Sequence, residues 1–293
     1  MLQVRFLFAA AIVAVLSISS LAPSANAPVK AEKKTKKLLL VTDSGGFVHD
    51  SVGLSEEILK KLGPENGFEV TCWRYTRDTN DPGFQKYCEQ FRKTTGVPVS
   101  TENCGRVNKE TLKNFDCVHF FTTGNPLTKD ELADLENWVK EGGAFTGTHC
   151  ATDTLYGTSY GALVGGYFDG HPWHQKIKIK VEDSKHAAGT GFKDGDEITD
   201  EIYQFKDSPY SREKLHIILS VDNSSIDVGK GKRPDMDYAI SWCQEFGKGR
   251  TFYTSLGHRK DVWKDERFQK HLIGGINWAM KDAEGSATPS VKK

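Results

Sequence analysis

Apolar runs and amphipathic stretches alternate through the first half of the chain. Leu38–Val41 is a continuous apolar run, as expected for a strand buried on both faces of a parallel sheet. The stripe from Leu54 to Leu62 has helical spacing, and Gly63-Pro64 is predicted to end that helix. The segments FEVTCWRY, FDCVHFFTTG and AFTGTHCA predict three more strands. This alternation predicts an α/β fold with a mostly parallel sheet and helices on both faces.

Local signals place the remaining elements. Thr128-x-x-Glu131 is a capping box ahead of an apolar helical face, and Gly142-Gly143 is predicted to end that helix. In the less regular second half, KIKIKVE and LHIILSVD predict strands. Three further predictions are a hairpin that turns at Gly247-Lys248-Gly249, a closing helix near Glu266–Met280, and an irregular insertion with one short helix at residues 76–113.

The first 27 residues have the layout of a secretory signal peptide. A short basic start precedes the apolar run Phe6–Leu16 and a small, polar segment that ends Ala25-Asn26-Ala27. Pro28 disfavours cleavage after Ala27, so cleavage after Ala31 and an uncleaved anchor remain open. The predicted division is signal peptide 1–27, linker 28–36, one domain 37–282 and a disordered tail 283–293. We therefore expect a secreted or periplasmic protein without stable membrane association after cleavage.

Charge and cysteine content narrow the function classes. The 39 basic and 39 acidic side chains balance, which argues against a nucleic-acid partner and suits a small uncharged ligand. Cys72 and Cys117 are predicted to be buried thiols. Export favours a disulfide between Cys88 and Cys104, which would close a loop of about 15 residues and contribute about 3 kcal/mol. The oligomeric state stays open, with a homo-oligomer as one alternative.

Polar residues follow several of the predicted strands. In an open parallel sheet these positions meet at the carboxyl edge, where ligands bind. Four segments place polar groups there, and three of them carry a histidine: His49, His149 and His258. The sequence therefore predicts a shared site at this edge.

GTHCA is the most informative of these segments. Gly147 and Ala151 are the small residues that a tight strand-to-helix elbow needs, with His149 at its apex. An imidazole there suits acid/base work or metal binding, because its pKa lies near neutrality. A core histidine, or Cys150 as nucleophile with His258 as base, remains an alternative.

FDGHPWHQ, residues 168–175, supplies two more imidazoles. His171 and His174 suit a substrate pocket or one shared metal, and the flat ring of Trp173 suits stacking on a sugar. The nearby ITDEIYQF adds Asp200, Glu201 and a tyrosine, and a carboxylate there can orient a histidine or act as an acid.

Five motifs in this order resemble the trehalose-utilisation, ThuA-like family. They are GGFVHDS, WVKEGGAFTGTHCATDT, GGYFDGHPWHQ, ITDEIYQF and GKGRTFYTSLGHR, and the resemblance covers about residues 37–282. It implies a flavodoxin-like fold similar to class I glutamine amidotransferases. His149 would then stand where those enzymes carry their cysteine nucleophile, and His258 near their catalytic histidine. Glutamine amidotransferase activity is therefore not expected.

The resemblance also implies carbohydrate catabolism, with disaccharide-derived or 3-keto-sugar substrates. A 3-keto group acidifies the neighbouring C–H, so a histidine pair could cleave or isomerise the sugar by proton transfer. The expected catalytic residues are His149 and His258, with Glu201 or Asp50 orienting one of them. The expected substrate-binding residues are Phe47, His49, Thr123, Gly124, His171, Trp173, His174, Tyr203 and Arg259.

Two alternatives remain beside this enzyme hypothesis. One is a non-catalytic sugar-binding module. The other is a zinc-dependent hydrolase, for which His171, His174 and His149 are the candidate ligands of the divalent metal. No cofactor is certain: secretion puts soluble NAD in doubt, and no dinucleotide motif is visible.

Overall fold

The computed structural model describes Leu2 and residues 34–291. The predicted signal peptide and most of the linker therefore lie outside the described residues. The chain from Lys34 onward forms one compact unit. Among the described residues, no helix is both long and apolar enough to cross a bilayer.

Within residues 34–291, nine strands form one sheet. The strands are β1 Lys36–Val41, β2 Phe68–Trp73, β3 Cys117–Phe120, β4 Ala144–Thr148, β5 Trp173–Val181, β6 Glu197–Ile202, β7 His216–Val221, β8 Ala239–Phe246 and β9 Gly249–Thr254. The helices are α1 Val52–Glu65, α2 Phe84–Thr95, α3 Lys109–Leu112, α4 Lys129–Lys140, α5 Tyr160–Val164, α6 Lys260–Lys264 and α7 Glu266–Ala279.

The sheet has a parallel half and an antiparallel half. Its order is β2-β1-β3-β4-β9-β8-β7-β5-β6. Neighbours from β2 to β9 are parallel, as the alternating first half predicts. From β9 to β6 every pair is antiparallel, so the predicted hairpin β8–β9 joins the two halves. The segment ITDEIYQF supplies the edge strand β6.

Helices cover both faces of the sheet and create two cores. Successive side chains of a strand point to opposite faces. Accordingly, Leu38 and Leu40 of β1 pack in the core that includes α1 and α7, whereas Leu39 and Val41 pack in the core that includes α4 and α5. The four side chains are fully buried, which explains the continuous apolar run of this strand.

Local chemistry sets several element ends. The capping box forms as predicted: Thr128 Oγ1 accepts from the Glu131 amide, and the Glu131 carboxylate accepts from the Thr128 amide. Helix α1 continues past the predicted stop at Gly63-Pro64, because a proline in the last turn leaves the preceding turns intact. The insertion at 76–113 is more regular than predicted, since it contains the 12-residue helix α2 as well as α3.

Two predicted features outside the site are not seen in this structure. The tail after Asp282 is not detached: Gly285 O accepts from the Trp278 indole, and the Ser290 amide donates to Leu215 O. Cys88 and Cys104 are free thiols, so the predicted disulfide is not formed. Cys88 lies in α2, whereas the Cys104 thiol donates to Ser100 O. Cys72 and Cys117 are buried thiols, as predicted.

Candidate functional site

Three loops at the carboxyl edge of the parallel half bring histidines together. His49 follows β1, His149 follows β4 and His258 follows β9. The ring centroids of His49 and His149 are 4.9 Å apart, and each lies 5.3 Å from that of His258. This cluster forms because parallel neighbours end at one edge of the sheet.

The elbow after β4 fixes His149. Its φ of 47° lies in the left-handed region, which is uncommon for a residue with a side chain. A Cβ on Gly147 would lie 2.8 Å from Ala151 Cβ, so the turn needs a glycine there. The Tyr253 hydroxyl donates to His149 O, and His149 Nδ1 donates to Ser255 O over 2.8 Å. The elbow and two hydrogen bonds thus set both the backbone and the ring.

The other nitrogen of His149 contacts β6 and the residue after it. His149 Nε2 lies 3.0 Å from the Tyr203 hydroxyl and 3.4 Å from Glu201 Oε2. Nδ1 is thus used by Ser255 O, and Nε2 by a hydroxyl and a carboxylate oxygen. His149 is fully buried. The expectation that it contacts substrate directly is therefore not supported, since both of its nitrogens are used inside the protein.

Glu201 is the centre of the cluster. Its Oε1 lies 3.5 Å from His171 Nδ1 and 3.8 Å from His258 Nε2. Burial opposes ionisation of Glu201, but the hydrogen bond and charge of His149, with the charges of His258 and His171, hold its pKa below the ordinary value. An ionised carboxylate therefore sits among imidazoles from four chain segments.

Two of these imidazoles are held neutral. Burial, together with the charges of the neighbouring histidines, lowers the pKa of His49 to about 2. Burial and the charge of His149 lower the pKa of His258 to about 4, against the opposing effect of Glu201. At neutral pH both rings therefore present a lone pair, which is the form that accepts a proton or binds a metal ion.

Asp200, one of the two carboxylates that the sequence offers in ITDEIYQF, anchors the loop that carries His258. Its carboxylate accepts from the Gly257 amide at 2.7 Å and from the Arg259 amide at 3.2 Å. Burial raises the pKa of Asp200 to about 6. Within β6, Asp200 and Glu201 point to opposite sides of the strand, so the two carboxylates serve different parts of the site.

An open cleft of about 480 Å³ lies beside the cluster, within the size range of small-ligand sites. Every residue that lines it is titratable, which suits a ligand with many hydroxyl groups. Beside the cluster, the ring centroid of Phe47, which is 66% exposed, lies 4.8 Å from that of His49. The lining residues are Asp50, His174, His258, Arg259, Lys260, Asp261 and Lys264.

Three predicted substrate contacts lie elsewhere. Trp173 is buried: its indole donates to Asp227 O and its ring packs against Tyr238, so no face is open to a sugar. Thr123 is fully buried, and its hydroxyl donates to Phe47 O. Gly124 has a φ of 75° and shapes the adjoining turn. The last two residues build the loop that presents the site rather than the site surface.

The expected metal ligands, His171, His174 and His149, do not form one site. Both nitrogens of His149 are already bonded, and His174 contacts the cluster through the ring of His258, 5.2 Å away. Among the described residues, the group whose ligand atoms could hold a metal ion is His49, Glu201 and His258.

Cys150 is fully buried, and burial raises its pKa well above the ordinary value, which disfavours a thiolate nucleophile.

Comparison with known proteins decides the family. The ThuA family profile, described as trehalose utilisation, matches residues 37–279. The chain belongs to the ThuA family. A search of curated proteins finds no match.

Solved structures of ThuA-like proteins share the fold. One from Bacteroides uniformis is 19% identical with a TM-score of 0.61, and the match covers 92% of this chain and all of that one. One from Parabacteroides merdae is 15% identical with a TM-score of 0.59, over 86% of this chain and 92% of that one. At these identities the likeness establishes the architecture, and the ThuA assignment links the chain to carbohydrate metabolism.

Proposed function

We propose that this ThuA family member cleaves or isomerises disaccharide-derived 3-keto-sugars by proton transfer beside Glu201. The observation that carries the proposal is that His171 and His258 approach the same oxygen, Oε1, at 3.5 and 3.8 Å. An atom of a ligand bound over this oxygen is within reach of two imidazoles. The polar cleft next to His258 has room for a small saccharide.

His171 is the proton carrier in this proposal. Its side chain is 51% exposed, and its Nδ1 faces Glu201, so Nε2 is free to accept a proton. Glu201 orients the ring and stabilises the imidazolium that forms, as a carboxylate does for a catalytic histidine. His149 Nε2 contacts the other oxygen of that carboxylate, Oε2, and the Tyr203 hydroxyl contacts the same nitrogen.

The reaction balances without an oxidant or a covalent intermediate. His171 takes the proton from the carbon between the keto group and the glycosidic carbon. Negative charge develops on the keto oxygen, and the cationic side chains that line the cleft, Arg259 and Lys260, are available to stabilise it. A carbon–carbon double bond forms as the glycosidic C–O bond breaks, and His171 returns its proton to the leaving oxygen.

A substrate screen tests this function directly. Purified protein is assayed with 3-keto-glycosides and with plain disaccharides, and we expect turnover of the keto-glycosides only. His171→Gln should lower kcat by about 10²–10⁴-fold, the usual contribution of a positioned acid/base group. Lys178→Gln, an exposed change on β5, should leave kcat unaltered. Saturable sugar binding without turnover would instead indicate the binding-module alternative.

Export to the periplasm or the medium is part of the proposal. It rests on the basic, apolar and small-residue order of the first 27 residues. N-terminal sequencing of the mature protein should give a start at Pro28 or Glu32, and an intact Met1 would contradict cleavage.

A further inference from the structure

Two histidines of the cluster around Glu201 each have a ring nitrogen without a hydrogen-bond partner. Among the described residues, His49 Nδ1 and His258 Nδ1 are buried and lack a hydrogen-bond partner. A buried polar atom left unpaired is costly, and the few that native proteins retain commonly mark a function or a bound ion. His49 is only 5% exposed, so solvent access does not explain its nitrogen.

The ligand atoms of these residues are close enough for one ion. One nitrogen from His49, one from His258 and one carboxylate oxygen of Glu201 lie within 4.8 Å of one another. Around a tetrahedral ion with bonds of about 2.0–2.2 Å, ligand atoms are about 3.4 Å apart. A modest inward movement of His258, whose side chain is 23% exposed, closes the difference.

The geometry points to a divalent-cation site formed by His49, Glu201 and His258. Two imidazoles and one carboxylate suit zinc or another first-row transition metal rather than calcium or magnesium. Three protein ligands leave at least one coordination position for a ligand atom, the arrangement of catalytic metal sites.

The surroundings of the triad support this assignment. His149 Nε2 contacts the Oε2 oxygen of Glu201, and a carboxylate that binds a metal is typically oriented by such a partner. Asp200 fixes the loop of His258 through two backbone amides. The open side of His258 lines the cleft, so a bound cation could reach a ligand there. His171 stays outside the triad and keeps its free nitrogen.

This inference rests on the proposed function for its role in the reaction. A cation held by the triad would stabilise the negative charge that develops on the keto oxygen. Cation binding itself does not depend on any substrate, so the two ideas can fail separately.

Metal titration of untagged, chelator-stripped protein tests the site. Zinc is titrated by calorimetry and cobalt by its visible absorption, each without substrate. We expect one equivalent per chain. His49→Gln and His258→Gln should each weaken binding by more than the roughly 10–100-fold that loss of an outer partner costs. His216→Gln, which removes a histidine outside the cluster, should bind as wild type.

A folding control keeps the result interpretable. Each variant is first checked by denaturant unfolding without metal, and if His49→Gln does not fold, the partly exposed His258→Gln decides. Binding below half an equivalent, or binding that survives both substitutions, would overturn the metal site. Turnover of keto-glycosides by metal-free protein would leave the proposed function standing and remove the cation's role. Binding of one equivalent of metal without turnover of keto-glycosides would support the metal site and contradict the proposed function.

Discussion

Asp200→Asn should change how stability depends on pH. The substitution keeps the shape of a buried side chain and removes its charge. Burial raises the pKa of Asp200 from 3.8 to about 6 in the folded protein. Since one pKa unit corresponds to about 1.4 kcal/mol, ionised Asp200 makes folding less favourable by roughly 3 kcal/mol than its neutral form does.

The sign follows from proton linkage. Between about pH 4 and pH 6 the folded state binds this proton more tightly than the unfolded state, so stability falls as pH rises through that window. The contribution is fully present below the unfolded pKa and is lost above about pH 6. The asparagine side chain of the variant has no such proton. The free energy of unfolding of wild type minus that of the variant should therefore fall by about 2 kcal/mol from pH 4 to pH 7.

Urea unfolding followed by circular dichroism measures this difference at several pH values. Titrations that the two proteins share cancel in the subtraction, so the slope of the difference reports Asp200. The free energies of unfolding of the two proteins should also differ by a constant amount at every pH. The single side-chain oxygen of asparagine cannot replace both carboxylate oxygens, which accept hydrogen bonds from two backbone amides of this loop. Curves that stay parallel within about 0.5 kcal/mol across the range would show that Asp200 does not titrate with a raised pKa in the folded protein.

Two further predictions concern the frame of the cluster. Tyr203→Phe removes the hydroxyl bonded to buried His149 Nε2 and should lower the free energy of unfolding by about 1–3 kcal/mol, as measured by denaturant unfolding; an unchanged midpoint would contradict it. Gly147→Ala places a Cβ 2.8 Å from Ala151 Cβ and should cost about 1–3 kcal/mol in the same assay. The double variant Gly147→Ala/Ala151→Gly should recover at least half of the lost free energy of unfolding. No recovery would show that contact with Ala151 is not the cause of the loss.

Sequence pattern predicts the parts of this fold that depend on local chemistry. The capping box at Thr128 and the small residues around His149 are local, and each is found where the sequence places it. The parallel half follows from strand–helix alternation. The order of the antiparallel strands β5 to β8 could not be predicted, because pairing partners are chosen by long-range packing that no local pattern records.

Trp173 belongs to the same period-two pattern as the rest of strand β5. Strand β5 begins at Trp173, before the apparent start of its lysine alternation. Extending the buried positions Ile177 and Ile179 back by steps of two reaches Trp173 and leaves His174 on the exposed side. Burial of the indole was thus predictable once the strand start was known. The role of His149 was not, because only the fold shows that both of its nitrogens are bonded.

Glu201→Gln tests whether the chemistry takes place at the carboxylate of Glu201. Glu197→Gln is the matched control, since Glu197 lies on the same strand but pairs with Lys176 on the surface. With a 3-keto-glycoside as substrate, Glu201→Gln should lose about 10²–10⁴-fold in kcat/KM, while Glu197→Gln retains wild-type turnover. Equal turnover by Glu201→Gln and wild type would show that Glu201 takes no part in the reaction.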